Sequence, residues 1–299
     1  MDPLFNTELD KTLGALEIGI IVGVFLFGIT TKQMLQYYSN HPDDRHFYKV
    51  LVGWVWILEL VHCTLSVWTL YVFTVKDFGR ATLILTPPTS LVVSGLVSSI
   101  ITGSVQAYFS YRLRVLSQRW LVPCICWMLN GSRLVCFSAS IIYQLATGTQ
   151  PAVWRWPRTA AGIMSALGDL LVGLSLCYCM WKRRERNRQT RRRRSAIDWT
   201  FTTALQSDLI TCIATAITLI LYEKDTTWAW QGLTFVVCRL FSISFYSSLL
   251  ARTALRDSVE TTVDLTNRVN MSALESNHSS SQAGDSITEI ASASPLTSK

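Results

Sequence analysis

The stretch Ile18-Gly19-Ile20-Ile21-Val22-Gly23-Val24-Phe25-Leu26 holds no polar side chain, and its residues do not alternate in polarity. A half-buried strand would alternate at every second residue, and a membrane barrel would do so in segments of about ten. This run does neither, and it extends outward to about Leu13–Thr30. A hydrocarbon layer of about 30 Å takes roughly 20 apolar residues of α-helix. Lipid satisfies no free backbone group, so only helices and closed barrels span it, and the missing alternation selects a helix.

Runs of similar length recur at about Tyr48–Phe73, Leu91–Phe109, Leu121–Tyr143, Ala160–Trp181, Phe201–Tyr222 and Trp228–Leu250. Composition agrees: 49% of residues are apolar and 16% charged, against about 25% charged in soluble domains. The mean hydropathy is +0.29. The sequence therefore predicts an all-α integral membrane bundle of seven transmembrane helices over residues 13–252. Residues 1–12 form a short extracellular N-terminus, and residues 253–299 a Ser/Thr-rich cytosolic tail. That tail has too little apolar surface to offset the entropy of ordering, so disorder is expected.

Orientation follows from the basic residues between runs. One side carries Lys11, Lys76, Arg80, Arg155, Arg158 and Lys224. The other carries Lys32, Arg45, Lys49, Arg112, Arg114 and Arg119, the stretch Lys182–Arg194, and Arg252, Arg256, Arg268 and Lys299. Six against nineteen puts the second side in the cytosol and the N-terminus outside. The first run has no basic segment ahead of it and no small-residue cleavage site after it, so it reads as a retained anchor. Trp120, Trp181 and Trp199 fall at inner borders, and Trp154, Trp156, Trp228 and Trp230 at outer ones, as indole rings favour the headgroup region. The expected location is the plasma membrane or another secretory-pathway membrane.

All eight cysteines lie within the apolar runs, which leaves no outer disulfide framework. Cys124/Cys126 and Cys177/Cys179 have a metal-like spacing, but residues two apart on a helix face different ways. No His or carboxylate cluster accompanies them, so neither a metal nor a cofactor is expected. The basic stretch of Lys182, Arg183, Arg184, Arg186, Arg188, Arg191, Arg192, Arg193 and Arg194 lies between two membrane runs. There it fixes topology and attracts anionic cytosolic lipid, at about 1 kcal/mol per basic residue. A cytosolic signalling partner is a further expectation at this loop, and nucleic acid is not.

Ionisable residues inside the runs are costly, at roughly 2.5–3.5 kcal/mol each at mid-helix. They are Glu17, Glu59, His62, Arg133, Asp169, Asp208 and Arg239. Glu17 lies near the outer end of its run. Counted from the run ends, Glu59, Arg133, Asp169 and Arg239 share the middle of the bilayer, with Asp208 nearer the cytosol. Glu59 and His62, three apart, share a helix face. Two readings stay open: charge pairs that join and orient helices, or a polar ligand or ion site lined by the same residues.

Several segments carry a resemblance. Val55-Trp56-Ile57-Leu58-Glu59-Leu60-Val61-His62 is similar to a Trp-x-Leu-acidic-x-x-His signature. Gln106–Leu113 with Leu116-Ser117 and Arg119-Trp120, then Asp169 with Leu174–Tyr178, and Leu249–Arg256 follow in order. Together they resemble a family of uncharacterised seven-helix membrane proteins of basidiomycete fungi, defined by a domain of unknown function. Glu59 stands where that pattern has Asp, Arg239 where it has Lys, and Leu250 where it has Asn. The first two keep charge; the third removes a polar group. The resemblance implies fold and location and no activity.

Among function classes, a receptor-like sensor fits seven helices with an outer N-terminus and a basic inner loop. A retinal sensor needs a lysine in the last run, which has none. A zinc hydrolase needs several histidines within the membrane, and only His62 is there. A small-solute transporter or channel-like protein remains the alternative, although Pro123 is the only proline inside a run and no internal repeat is visible. No enzymatic activity is expected. The proposed orientation leaves the sequons Asn270-Met271-Ser272 and Asn277-His278-Ser279 in the cytosol. Both asparagines should stay unmodified in eukaryotic membranes, and a glycosidase-sensitive mass shift at either one overturns the orientation.

Overall fold

The computed structural model describes residues 3–42, 44–76, 88–147, 155–186, 210–224, 229–251 and 271. Helix α1 is Pro3–Asn40 and α2 is His46–Tyr71, which continues into a π turn, Val72–Lys76. Helices α3 (Thr89–Ser117), α4 (Leu121–Thr147) and α5 (Arg155–Arg186) follow. Two more lie over residues 210–224 (α6) and Ala229–Ala251 (α7). No strand occurs among the described residues. Six helices are long and apolar enough to cross a membrane, all but α6, of which too few residues are described. They suit a multi-pass membrane protein.

The helices outrun the apolar stretches that announce them. Helix α1 begins at Pro3, so residues 3–12 continue it rather than lead up to it as a separate segment. At its other end it passes Thr30 and runs to Asn40 because no breaker intervenes before Pro42. Arg158, counted above with an outer loop, lies in α5, where it donates to Gln144 Oε1 of α4 at 2.5 Å. The tail beyond Ala251, apart from Met271, lies outside the described residues.

Helices α2 and α4 each turn a stripe of polar residues inward. On α2 the buried positions are Val52, Val55, Glu59, His62, Ser66 and Thr69, alternately three and four apart. Trp54, Ile57, Leu60, Val61, Val67 and Trp68 are exposed between them. That is the reverse of a soluble helix, and lipid is the solvent that suits it. Buried hydroxyls close back on their own helix: Ser66 donates to the His62 carbonyl at 2.7 Å, and Thr69 to Leu65 at 2.8 Å. On α4 the stripe is Pro123, Cys126, Asn130, Arg133, Ser140 and Gln144. Pro123 sits in the first turn, where its missing N–H leaves no bond unmade.

Helices α3 and α7 form the centre. Some 56% and 61% of their apolar windows are buried, against 28–33% for the other four spans. Consecutive residues near the C-terminal end of α7 each reach a different neighbour. Tyr246 donates to the Val52 carbonyl of α2 at 3.1 Å, and Gln33 of α1 donates to Ser247 Oγ at 3.1 Å. Arg112 of α3 donates to Ser248 Oγ. Three neighbouring positions on one helix point about 100° apart, so α7 ties α1, α2 and α3 together.

At the opposite end α1 and α7 cross backbone to backbone. A Cβ on Gly19 would collide with Gly232, and one on Gly232 with the Ala15 carbonyl. Apolar burial adds little between helices in lipid, so close approach through small residues supplies dispersion contacts instead. Gly28, on the same helix as Gly19, faces open space: a Cβ there would meet nothing within 4 Å. Gly232→Val should therefore destabilise by about 1–3 kcal/mol or more through overpacking. Gly28→Ala should be neutral or slightly stabilising. Thermal unfolding in detergent or nanodiscs checks the contrast, and equal shifts would refute the crossing.

Candidate functional site

Glu59 is fully buried on the inward stripe of α2, and Arg239 is 2% exposed on α7. Their side chains form an ion pair. Arg239 Nη1 also donates to the Glu59 backbone oxygen at 3.1 Å, and the guanidinium lies over the Phe27 ring of α1, 5.4 Å from its centroid. Ser242, one turn after Arg239, donates to Glu59 Oε1 at 2.5 Å. The Cys238 thiol lies 3.9 Å from the same oxygen. Three contacts from one face of α7 thus converge on one carboxylate. This knot joins α1, α2 and α7.

His62 occupies the same face of α2 one turn further on, buried, with its ring 5.3 Å from Phe235 of α7 and tilted by 50°. Its Nδ1 has no hydrogen-bond partner. It is a neighbour of the ion pair rather than a member of it.

A second polar group lies between α3, α4 and α5. Gln106 of α3 donates to Asp169 Oδ1 of α5 at 2.5 Å. Asn130 of α4 donates to the Gly103 carbonyl of α3 at 2.9 Å. Arg133 Nη2 reaches the Ser99 carbonyl at 3.3 Å and Asn130 Oδ1 at 3.4 Å. The sequence makes this approach feasible through Gly95, Ser99 and Gly103, four apart on α3. A Cβ at Gly103 would lie 3.1 Å from the Leu134 methyls, and one at Gly95 3.3 Å from Ile141. Small side chains there let α4 lie close enough for its polar groups to reach α3 carbonyls.

Of the residues singled out in the sequence, Glu59 and Arg239 meet directly, and Asp169 lies within electrostatic reach of Arg133. Glu17 is exposed on α1, away from the interior. Asp208 lies outside the described residues. So do Arg188, Arg191, Arg192, Arg193 and Arg194, and the side chains of Arg183, Arg184 and Arg186; Lys182 is exposed on α5. Sequence reasoning missed Ser242, Gln106 and Asn130. Ser242 and Asn130 each stand three residues from a buried arginine, and α2 continues its polar stripe through Ser66 and Thr69; either pattern was there to be read. The eight cysteines are free thiols, and no group of three or more metal-ligating side chains occurs among the described residues.

Residues 165–254 match a family of unknown function (DUF6534). The matched stretch starts within α5 and takes in α6 and α7, and so contains Asp169, Cys238, Arg239 and Ser242. No curated protein and no solved structure matches the chain. The chain is thus a helical, membrane-type protein that carries a domain of unknown function.

Removing one partner of a buried ion pair leaves an uncompensated charge, at about 3–5 kcal/mol. Arg239→Leu and Glu59→Leu should each lower the yield of folded protein sharply, whereas Arg155→Leu should not. The double replacement Glu59→Leu/Arg239→Leu should recover much of the loss, because no charge is then stranded. Additive losses in fluorescence-detected size exclusion would refute the pairing.

Proposed function

We propose that this protein is a receptor-like sensor of seven transmembrane helices, with its N-terminus outside and its C-terminus in the cytosol. The plasma membrane or another secretory-pathway membrane is its proposed location, and it carries no enzymatic activity of its own. The motif resemblance supports a place among the fungal seven-helix membrane proteins, and α6 supplies the seventh crossing. The Lys182–Arg194 stretch is the proposed contact for anionic lipid and for a cytosolic signalling partner.

One observation carries the reading: two buried charged groups join helices that run unbroken through the bundle. Carriers of small solutes commonly hold their substrate on helices interrupted at mid-depth, where freed carbonyls and helix ends line the site. Among the described residues the spans are continuous α-helix, and the π turn Val72–Lys76 lies at the end of α2. Continuous helices held by a few polar links are suited to shifting between two packings, which is the repertoire of a switch.

The test sets flux against signalling. Proteoliposomes of the whole chain should show no saturable uptake from a panel of labelled sugars, amino acids and organic acids. Cells expressing the chain should differ in cytosolic protein phosphorylation from cells expressing Ser242→Ala, which removes one bond to Glu59. Saturable uptake that Asp169→Asn abolishes would overturn the sensor reading in favour of a transporter.

A further inference from the structure

Two turns lie at the same end of the bundle, one joining α1 to α2 and the other α3 to α4, since the Tyr48 and Tyr108 rings meet edge-on at 6.5 Å. Their basic residues are neutralised unequally. At the first turn Asp43 and Asp44 precede Arg45 and Lys49 in the chain. Asp44 accepts from the Arg45 backbone N–H at 2.9 Å and from the Tyr37 hydroxyl at 2.7 Å. The second turn has no acidic company: the chain holds no Asp or Glu between Asp77 and Asp169. Of its three arginines, Arg112 is committed to Ser248 of α7. The Arg114 and Arg119 side chains have no ion-pair or hydrogen-bond partner among the described residues.

The backbone holds this turn in a defined shape. Helix α3 ends on Gln118, whose φ of 55° is left-handed and whose N–H donates to the Arg114 carbonyl at 3.0 Å. The chain reverses over residues 118–120 and lays the Trp120 ring against the Arg114 guanidinium, 3.4 Å from the ring centroid. An indole on the face of a guanidinium orients it and leaves the N–H groups along its edges to donate in plane. Arg119, next to Trp120 in the chain, is exposed. Beyond Trp120 the exposed side chains Leu121, Ile125 and Met128 follow one another along one face of α4, four and three residues apart.

We propose that the α3–α4 turn holds one anionic phospholipid, with its phosphate on Arg114 and Arg119 and an acyl chain along Leu121, Ile125 and Met128. Arginine forks bind phosphate oxygens two at a time, and these two have no carboxylate of the hairpin to compete. Trp120 stands between the charged and apolar parts, at the headgroup level that indole rings favour. A zwitterionic lipid would bring its own cation against two arginines, which selects an anionic one. The site is separate from residues 182–194. It relies on the proposed orientation only for the leaflet that supplies the lipid, the cytosolic one, where anionic lipids concentrate.

The experiment titrates the full chain in detergent with phosphatidylserine or phosphatidylcholine of the same acyl chains and counts bound lipid by native mass spectrometry. The first phosphatidylserine should bind about fivefold or more tightly than phosphatidylcholine. Glycerophosphoserine and inorganic phosphate, which lack the chains, should not displace it at equal concentration. The variant Arg114→Gln/Arg119→Gln should bring the preference to within about twofold. Arg45→Gln, which removes the same charge at the same end of the bundle, should leave the preference unchanged. In the unmutated protein, phosphatidylserine with a photoreactive group on its acyl chain should label residues 121–128, a readout that needs no variant to fold. Equal binding of the two lipids, displacement by the chainless headgroup or by phosphate, an equal loss in Arg45→Gln, or labelling elsewhere would each overturn the proposal. Detergent abolishes the leaflets, so an inverted orientation leaves these outcomes unchanged. A chain that selects phosphatidylserine yet evokes no cytosolic change refutes the sensor reading alone, and one that signals without the preference refutes this site alone.

Discussion

The contact of Glu59 with Arg239 answers the strictest demand that a bilayer makes on a chain. Neither charge can reach water from mid-bundle, and each alone would strand several kcal/mol of desolvation in the interior. Together, with Ser242 and the Glu59 backbone oxygen completing the bonds, they neutralise one another and fix the rotation of α2 against α7. The inward stripe of α2 then points where it must. With that face settled, the Trp and Ile residues on the opposite face have lipid as their only fitting environment.

A bundle without a hydrophobic drive between its helices needs other means of cohesion, and this one uses two. Small residues bring backbones together at Gly19 with Gly232, and again where Gly95 and Gly103 meet α4. Polar side chains then reach across, as Asn130 does to the Gly103 carbonyl. Helices α3 and α7 carry most of both devices, which is why they are the most enclosed. Their neighbours each keep one broad face for lipid.

Charges set inside long apolar runs are conspicuous in a sequence, because nothing but a specific role repays their cost. Glu59, Arg133, Asp169 and Arg239 stand out for that reason, and run length alone marks the crossings. Which charge meets which is another matter. Depth counted from a run end is uncertain by a turn, and the angle around the helix depends on how neighbours cross. Ser242, Gln106 and Asn130 are uncharged and blend into the background of serines and amides, so their bonds to the charged groups become visible only in three dimensions. Helix ends were also hidden. The length of an apolar run reports the thickness of the membrane, whereas α1 continues through polar residues to Asn40 because no proline or glycine stops it sooner.

The ion pair also imposes an order of events on the birth of the molecule. Glu59 and Arg239 are separated by 180 positions in the chain. At about 5–20 residues per second of synthesis, the carboxylate waits roughly 10–40 s for its partner. During that interval α1, α2 and α3 lack the helix that ties them together, since Tyr246, Ser247 and Ser248 are made later still. A half-made chain therefore exposes an unmatched acidic group that the finished one conceals.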